Sequence, residues 1–275
     1  MPSSELDRLR KITSRQNSQV KELRHAFQQA ETTSDGYCAI EGIRLIEEAI
    51  RSGLRFKAVF FRQSAHEQAE RLLPQLSTHL DTLLLPDDVF DGAVDTETPQ
   101  GVAALVRLRD YKLEQVLARP VPFLMGAVGI QDPGNLGTII RSSEAFGADA
   151  LLAAEKTVKR FNPKVIRASA GSLFRLPVLD WSEEDLGRLR EKSIKLVATT
   201  SHKGEDLDAV DLTGPLAVFI GGEGTGLPRA YMAQMQQLVR IPQSERVESL
   251  NAGVAASIVL YEAARQRKKL EGATS

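Results

Sequence analysis

Between residues 122 and 275 the chain passes repeatedly from a short apolar run into a segment of helical periodicity, and this alternation limits the fold more than any other feature. Residues 123–129, 151–154, 194–199 and 216–220 read as buried strands. Helices are expected over 136–146, roughly 163–170, 183–192, 229–237 and 250–268. Strands that are apolar along their whole length have both faces covered. When they alternate with helices, the connections cross over and the strands run parallel. The expected class is therefore α/β: a mainly parallel sheet with helices on both faces.

The first part of the chain reads as a smaller α/β unit. Strands are expected at 37–40, 56–61, 81–85 and 102–108, and a helix near 65–73. Residues 41–52 form an amphipathic helix with Ile43, Ile46, Glu47 and Ile50 at helical spacing, and Gly53 suits the position that ends it. Residues 5–30 read as polar, helical and locally basic, a pattern that fits a solvated face as well as one in contact with RNA. The charged stretch 109–121 contains Pro120 and is placed as a linker. The expected division is 1–108, a linker at 109–121, and 122–275.

Composition removes several function classes. One cysteine, Cys38, permits neither an internal disulfide nor a cysteine-rich zinc site. The four histidines are scattered without metal-ligand spacing, so no metal is expected. No apolar run approaches the ~18 residues of a membrane span. Residues 1–5 lack a basic segment followed by an apolar one, so no secretory signal is expected and a cytoplasmic setting follows. The net charge is −1, so any attraction for a polyanion must be local.

Three segments carry more glycine, proline and polar side chain than a simple connection needs. The first is Gln131-Asp132-Pro133-Gly134-Asn135-Leu136-Gly137, which follows a buried strand and opens a helix. Asp132-Pro133-Gly134 makes a tight turn, and Asn135 is placed to cap the helix. Further along, Arg141 lies away from the apolar stripe of Leu136, Ile139 and Ile140, either as a surface arginine or as a partner for phosphate or ribose.

The second segment, Gly221-Gly222-Glu223-Gly224-Thr225-Gly226-Leu227, also follows a buried strand. Its glycines let the backbone come close to a ligand. It lacks the Lys-Ser or Lys-Thr of a phosphate-binding loop, and its glycine spacing is not the dinucleotide fingerprint. Glu223 disfavours an anionic ligand and suits a neutral or cationic one. In the third segment, Ser249-Leu250-Asn251 precedes a helix crowded with small residues: Ala252, Gly253, Ala255, Ala256 and Ser257. That crowding implies close backbone packing, and either Ser249 or Asn251 can be a plain helix cap.

The order Asp132-x-x-Asn135-x-Gly137-x-x-x-Arg141, then Gly221-x-Glu223-Gly224-x-Gly226-Leu227, then Ile241-Pro242 with Ser249-Leu250-Asn251, resembles the three motifs of the SpoU (TrmH-like) branch of the SPOUT methyltransferases. The resemblance covers roughly residues 120–270, and residues 41–49 resemble the small substrate-binding domain that precedes many such catalytic domains. The chain departs from the usual pattern at Gly222, where asparagine or serine is common. It departs again at Gln243-Ser244-Glu245-Arg246, which replaces a methionine- and glycine-containing turn, and at Ala252-Gly253.

The resemblance implies a C-terminal domain with a deep trefoil knot, a homodimer, and transfer of a methyl group from S-adenosylmethionine to a ribose 2′-hydroxyl of RNA. Ribosomal RNA is expected because of the separate N-terminal domain. Transfer RNA, or a non-catalytic role in ribosome assembly, is the alternative. Asn135, Arg141, Glu223, Ser249 and Asn251 would form the catalytic group, and Thr199, Gly221, Gly222, Ile241 and Leu250 would hold the cofactor. A basic strip of Lys156, Lys159, Arg160, Lys164 and Arg167, extended by Arg175 and opposed locally only by Glu155, would dock RNA phosphates.

Overall fold

A computed structural model describes residues 5–244 and 246–273, so residues 1–4, read above for a secretory signal, lie outside it. The chain divides into two compact units. The first holds the chain up to Arg109 together with Lys159–Phe174, and the second holds Asp110–Val158 and the chain from Arg175 onward.

The first unit contains strands β1 (Arg10–Lys11), β2 (Cys38–Glu41), β3 (Arg55–Arg62), β4 (Asp81–Leu85) and β5 (Val102–Arg107). They form one sheet in the order β1-β4-β3-β5-β2. β4 runs parallel to β1 and β3, while β5 runs antiparallel to β3 and β2. Helices α1 (Ser18–Gln29), α2 (Ile43–Arg51), α3 (His66–Leu72) and α4 (Asp87–Asp91) complete it. Leu23 and Phe27 of α1 pack with Phe60, Leu83 and Phe90 in one buried cluster. A single helix over 5–30 is not found. A short 3-10 turn and β1 come first, and Asn17 caps α1 by accepting from the Gln19 amide at 3.0 Å. The helix after Arg51 ends as expected, with Gly53 at φ +66°.

The second unit begins inside the stretch expected to be a linker. Helix α5 (Leu113–Leu117) buries Leu113, Val116 and Leu117 in the core of this unit. Their i, i+3, i+4 spacing makes one apolar face, which the flanking charges and prolines disguise.

The sheet of the second unit is built from β6 (Phe123–Val128), β7 (Ala150–Ala154), β8 (Val178–Trp181), β9 (Lys195–Thr200), β10 (Glu205–Asp206), β11 (Leu216–Gly221) and β12 (Gln237–Arg240). These seven strands lie in the order β10-β12-β9-β11-β6-β7-β8 and pair in parallel throughout. Helices α6 (Pro133–Ala145), α8 (Leu186–Glu191), α9 (Arg229–Met232) and α10 (Ala252–Ala273) accompany it. The helix expected over 229–237 stops at Met232. The chain then enters β12, and just before it the Gln236 amide donates to the Leu196 carbonyl at 2.9 Å.

The chain leaves β6 towards β7 on one side, and the neighbour on the other side is β11, so the sequence order reverses between these two strands. Open parallel sheets bind ligands at the carboxyl ends of the strands flanking such a point. Phe219 of β11 lies beside Gly126 of β6, where a Cβ would stand 2.2 Å from the ring. The missing side chain lets the ring lie flat in the core. α10 packs along α6: the Ser142 and Ser257 hydroxyls are 2.6 Å apart, and a Cβ on Gly253 would stand 3.1 Å from Thr138.

Helix α7 (Pro163–Ala168), expected within the second domain, packs against β2 of the first unit. Val165 and Ile166 are buried there, and a Cβ on Gly171 would touch the Glu48 side chain at 2.9 Å. Burial of this apolar pair decides where the segment folds, whatever its position in the sequence.

Candidate active site

The loops after β6 and β11 meet backbone to backbone. A Cβ on Gly222 would stand 2.3 Å from the Gly129 carbonyl oxygen, and one on Gly221 would stand 2.1 Å from the Gly226 carbonyl carbon. The glycine loop closes on itself, with the Gly226 amide donating to the Gly222 carbonyl at 2.9 Å. Glycine at 221 and 222 is therefore a packing requirement, and it leaves Glu223–Thr225 at the tip of a tight turn. Beneath the loop, Tyr231 of α9 packs against Phe219 with ring centroids 6.0 Å apart, and burial pushes its phenol pKa upward.

Three polar side chains from the three motifs meet at this tip. Asp132 caps α6 by accepting from the Asn135 amide at 2.8 Å, so Asp132 takes the capping role expected of Asn135. This frees the Asn135 side chain, which is buried, to donate through Nδ2 to Glu223 Oε1 at 2.8 Å. Asn251 Nδ2 donates both to Glu223 Oε1 and to Asn135 Oδ1, each at 2.8 Å. Asn251 Oδ1 meanwhile accepts from the Val254 amide at 3.2 Å and caps α10. Capping and site formation thus use opposite ends of one amide. Glu223 Oε2 has no hydrogen-bond or ion-pair partner among the described residues.

A cavity of about 470 Å³ opens on one side of this network. Thr199, Gly221, Gly222, Ile241 and Leu250 all line it, together with Glu223 and Ser249. Its apolar wall includes Ile220, Leu227 and Met232. Thr199 Oγ1 is tied to the Phe219 carbonyl at 3.2 Å. Sequence reasoning missed Thr200, Lys203, Met232 and Gln243, which also line the cavity. Thr200 and Lys203 continue the strand end already singled out at Thr199. Gln243 gave no signal: its Nε2 is buried without a hydrogen-bond partner among the described residues, a fact of packing alone.

A second cavity of about 340 Å³ lies against the same network and shares Glu223, Thr225 and Ala252 with the first. The expected residue that the chain does not bring in is Arg141. It is exposed on α6 along a stripe with Thr138 and Ala145, with no hydrogen bond or ion pair among the described residues.

The basic strip is less free than its sequence suggests. Lys156 belongs to the second unit, whereas Lys159, Arg160, Lys164 and Arg167 belong to the first. Glu31, remote in sequence, pairs with Lys159 at 2.5 Å, and this contact holds the Glu31 carboxyl below the usual range. Arg175 pairs with Glu144 at 2.5 Å, and Arg160 stacks on Phe161 at 5.0 Å from the ring centre. Lys164 is exposed, and Arg167 is partly buried.

Residues 122–261 match the SpoU rRNA Methylase family, and residues 17–104 match the MRM3-like substrate binding domain. The chain belongs to the SpoU rRNA methylase family. It is 32% identical over 254 residues to the 23S rRNA (guanosine(2553)-2′-O)-methyltransferase RlmP of Bacillus subtilis (strain 168), which covers 92% of this chain and 98% of the relative. It is 32% identical over 248 residues to the 23S rRNA (uridine(2479)-2′-O)-methyltransferase of Streptomyces viridochromogenes, which covers 86% of this chain and 85% of the relative. Among solved structures, the SpoU methyltransferase AviRb from Streptomyces viridochromogenes, in complex with the cofactor AdoMet, superposes with a TM-score of 0.80 at 27% identity. That match covers 92% of this chain and 99% of the other. The family thus includes enzymes named for guanosine and for uridine, and membership alone leaves the acceptor base open. Among the described residues, no helix is long and apolar enough to cross a membrane.

Proposed function

We propose that this protein transfers a methyl group from S-adenosylmethionine to a ribose 2′-hydroxyl of ribosomal RNA in the cytoplasm. The observation that carries the reading is the convergence of the Asn135 and Asn251 amides on one Glu223 carboxylate oxygen beside a cavity lined by the glycine loop, Ile241 and Leu250. The cavity fits the cofactor on chemical grounds. Glycines 221 and 222 present bare backbone to it, and Gln243 brings an amide nitrogen that has no hydrogen-bond partner among the described residues. Glu223 and Glu248 supply negative charge suited to a sulfonium, and Lys203 supplies a cation suited to a carboxylate.

The cofactor supplies an electrophilic methyl group, so the chain has to orient and polarise a weak hydroxyl nucleophile. Asn135 and Asn251 fix the Glu223 carboxylate through Oε1 and leave Oε2 to accept from a ribose hydroxyl. Ser249 lines the same site. Arg141 does not act as a base, because a guanidinium stays protonated in proteins. Its role is to hold a phosphate and stabilise the developing alkoxide.

Arg141 stands clear of its own chain's network, and this supports a homodimer. Val254 and Tyr261 are exposed on α10, and Tyr261 packs edge-on against Phe146 at the end of α6, 5.7 Å between ring centres. A second copy covering this face would enclose Arg141. The small residues that seat α10 against α6 support a trefoil knot in this unit. Lys156, Lys159, Arg160, Lys164 and Arg167 would meet RNA phosphates, with the first unit as the substrate-binding domain.

The test is calorimetric titration with S-adenosylmethionine, followed by methyl transfer to ribosomal RNA from cells lacking the gene, with the modified positions mapped. Arg141→Ala is expected to keep cofactor binding and lose transfer. Absence of cofactor binding by the unaltered protein, or methylation confined to transfer RNA, overturns the reading.

A further inference from the structure

The glycine-loop cavity has two ends. At one it shares Glu223, Thr225 and Ala252 with the second cavity described above. At the other it shares Ser201, Ile241 and Gln243 with a further cavity of about 290 Å³. The two flanking cavities have no lining residue in common, so Glu223 and Gln243 mark different ends. The function proposed above, on which this step rests, sets methyl transfer at the Glu223 end. Gln243 then faces a part of the methyl donor that is remote from the reacting carbon.

S-adenosylmethionine has two such parts. The methionine arm ends in an ammonium and a carboxylate and calls for charged partners. Glu248 and Lys203 in the cavity wall supply both signs. The adenine is flat and neutral. It calls for an apolar wall and, along its amino edge, for a donor beside an acceptor. Ile241 gives the Gln243 end an apolar side chain. The charges next to it are already matched, because Arg240 pairs with Asp206 at 2.6 Å.

Gln243 Nε2 is buried and has no hydrogen-bond partner among the described residues. An unpaired buried donor is destabilising, and a ligand that accepts from it recovers the loss. A glutamine amide meets the amino edge of adenine with two hydrogen bonds: Nε2 donates to a ring nitrogen and Oε1 accepts from the exocyclic amino group. The departure from the usual third motif begins at this same residue, so the contact would belong to this chain's own sequence. We propose that Gln243 reads the adenine of the methyl donor through its side-chain amide and makes binding depend on the exocyclic amino group.

The test needs no RNA and reads binding alone. The full-length protein is titrated calorimetrically with S-adenosylhomocysteine and with the analogue in which hydrogen replaces the adenine amino group. Gln243→Met keeps the length of the side chain and removes the amide. The unaltered protein should bind the analogue roughly 5–100-fold more weakly than S-adenosylhomocysteine. Gln243→Met should lose a comparable factor for S-adenosylhomocysteine. It should separate the two ligands by less than about threefold, because the contact is already gone. Gln243→Glu keeps the shape, replaces the donor with an acceptor, and should weaken S-adenosylhomocysteine binding as well. Thermal melts of both variants report folding. Equal affinity of the unaltered protein for the two ligands overturns the assignment while cofactor binding stands. So does a folded Gln243→Met or Gln243→Glu protein within twofold of the parent. Losses that simply multiply also overturn it, and move Gln243 to the ribose or the methionine arm. Failure of the unaltered protein to bind either S-adenosylmethionine or S-adenosylhomocysteine overturns the proposed function, and this inference with it.

Discussion

Replacing Gly221 with alanine is the most direct probe of the glycine loop. The added Cβ would stand 2.1 Å from the Gly226 carbonyl carbon and 2.3 Å from the Leu227 amide nitrogen. Comfortable carbon contacts lie near 3.5–4.0 Å, so the two sides of the loop must part by more than about 1 Å. The opposing atoms are backbone and cannot rotate away. Forcing an extra methyl into a filled space costs about 1–3 kcal/mol, and here the strain falls on the segment that walls the larger cavity. If the strain must be relieved for the ligand to bind, affinity for S-adenosylmethionine falls roughly 5–150-fold. Gly187→Ala is the control: it lies in α8, where a Cβ would meet nothing within 4 Å. It is expected to stabilise the protein by about 0.5–1 kcal/mol and leave binding untouched. Calorimetric titration of both variants, with thermal melts alongside, makes the comparison. Affinity within twofold of the parent for a folded Gly221→Ala protein would refute the packing argument.

Asn251→Ala removes the cap of α10 and both amide donations to the network. A melt should show a loss of about 0.5–2 kcal/mol from the cap, and methyl transfer should fall further than this loss explains; an unchanged melt would sink the capping assignment. Burial pushes the Cys38 thiol up to about 12, so a thiol reagent at pH 8 should label it only on unfolding, and rapid labelling of the native protein would contradict the buried site. The Arg71 side chain holds the Glu47 carboxyl below its usual range, Arg265 does the same for Glu262, and the Thr213 side-chain hydroxyl for Asp211. A lowered folded pKa gives stability that is present above the unfolded value near 4 and lost as pH falls through the folded one. The melting temperature should therefore drop as pH is taken from 5 to 3, and a flat profile there would show that these contacts contribute nothing.

The strands of the second unit were legible where burial is total. β6, β7, β9 and β11 are nearly continuous apolar runs, which is what a sheet covered on both faces demands. β12 was not legible, because in Gln237-Leu238-Val239-Arg240 only Val239 is fully buried and the run resembles a helix end. β10 has two residues, too few for any periodicity. The placement of α7 was invisible for a different reason. Val165 and Ile166 announce a buried face, but their partner β2 lies over a hundred residues earlier, and no local pattern specifies a pairing across that distance.

At the site, the sequence identified residue types that chemistry restricts and missed those that geometry alone recruits. Gly221 and Gly222 stand out because no other residue fits a Cβ position 2.1–2.3 Å from backbone. Gln243 does not stand out, because a glutamine becomes part of a cavity only when its amide is buried there. Arg141 is the opposite case. Its place on α6 was legible from helical spacing, and the structure finds it on the stripe of Thr138 and Ala145, as that spacing requires. Helical spacing fixes the face from which a side chain projects and leaves its distant neighbours undetermined. The network closes on Asn135, six residues earlier on the helix, because the Asp132 cap turns that amide inward to Glu223 while Arg141 stays outside. In the function proposed above, Arg141 on its exposed helix face would be completed by what is brought to it, the RNA chain or a second subunit.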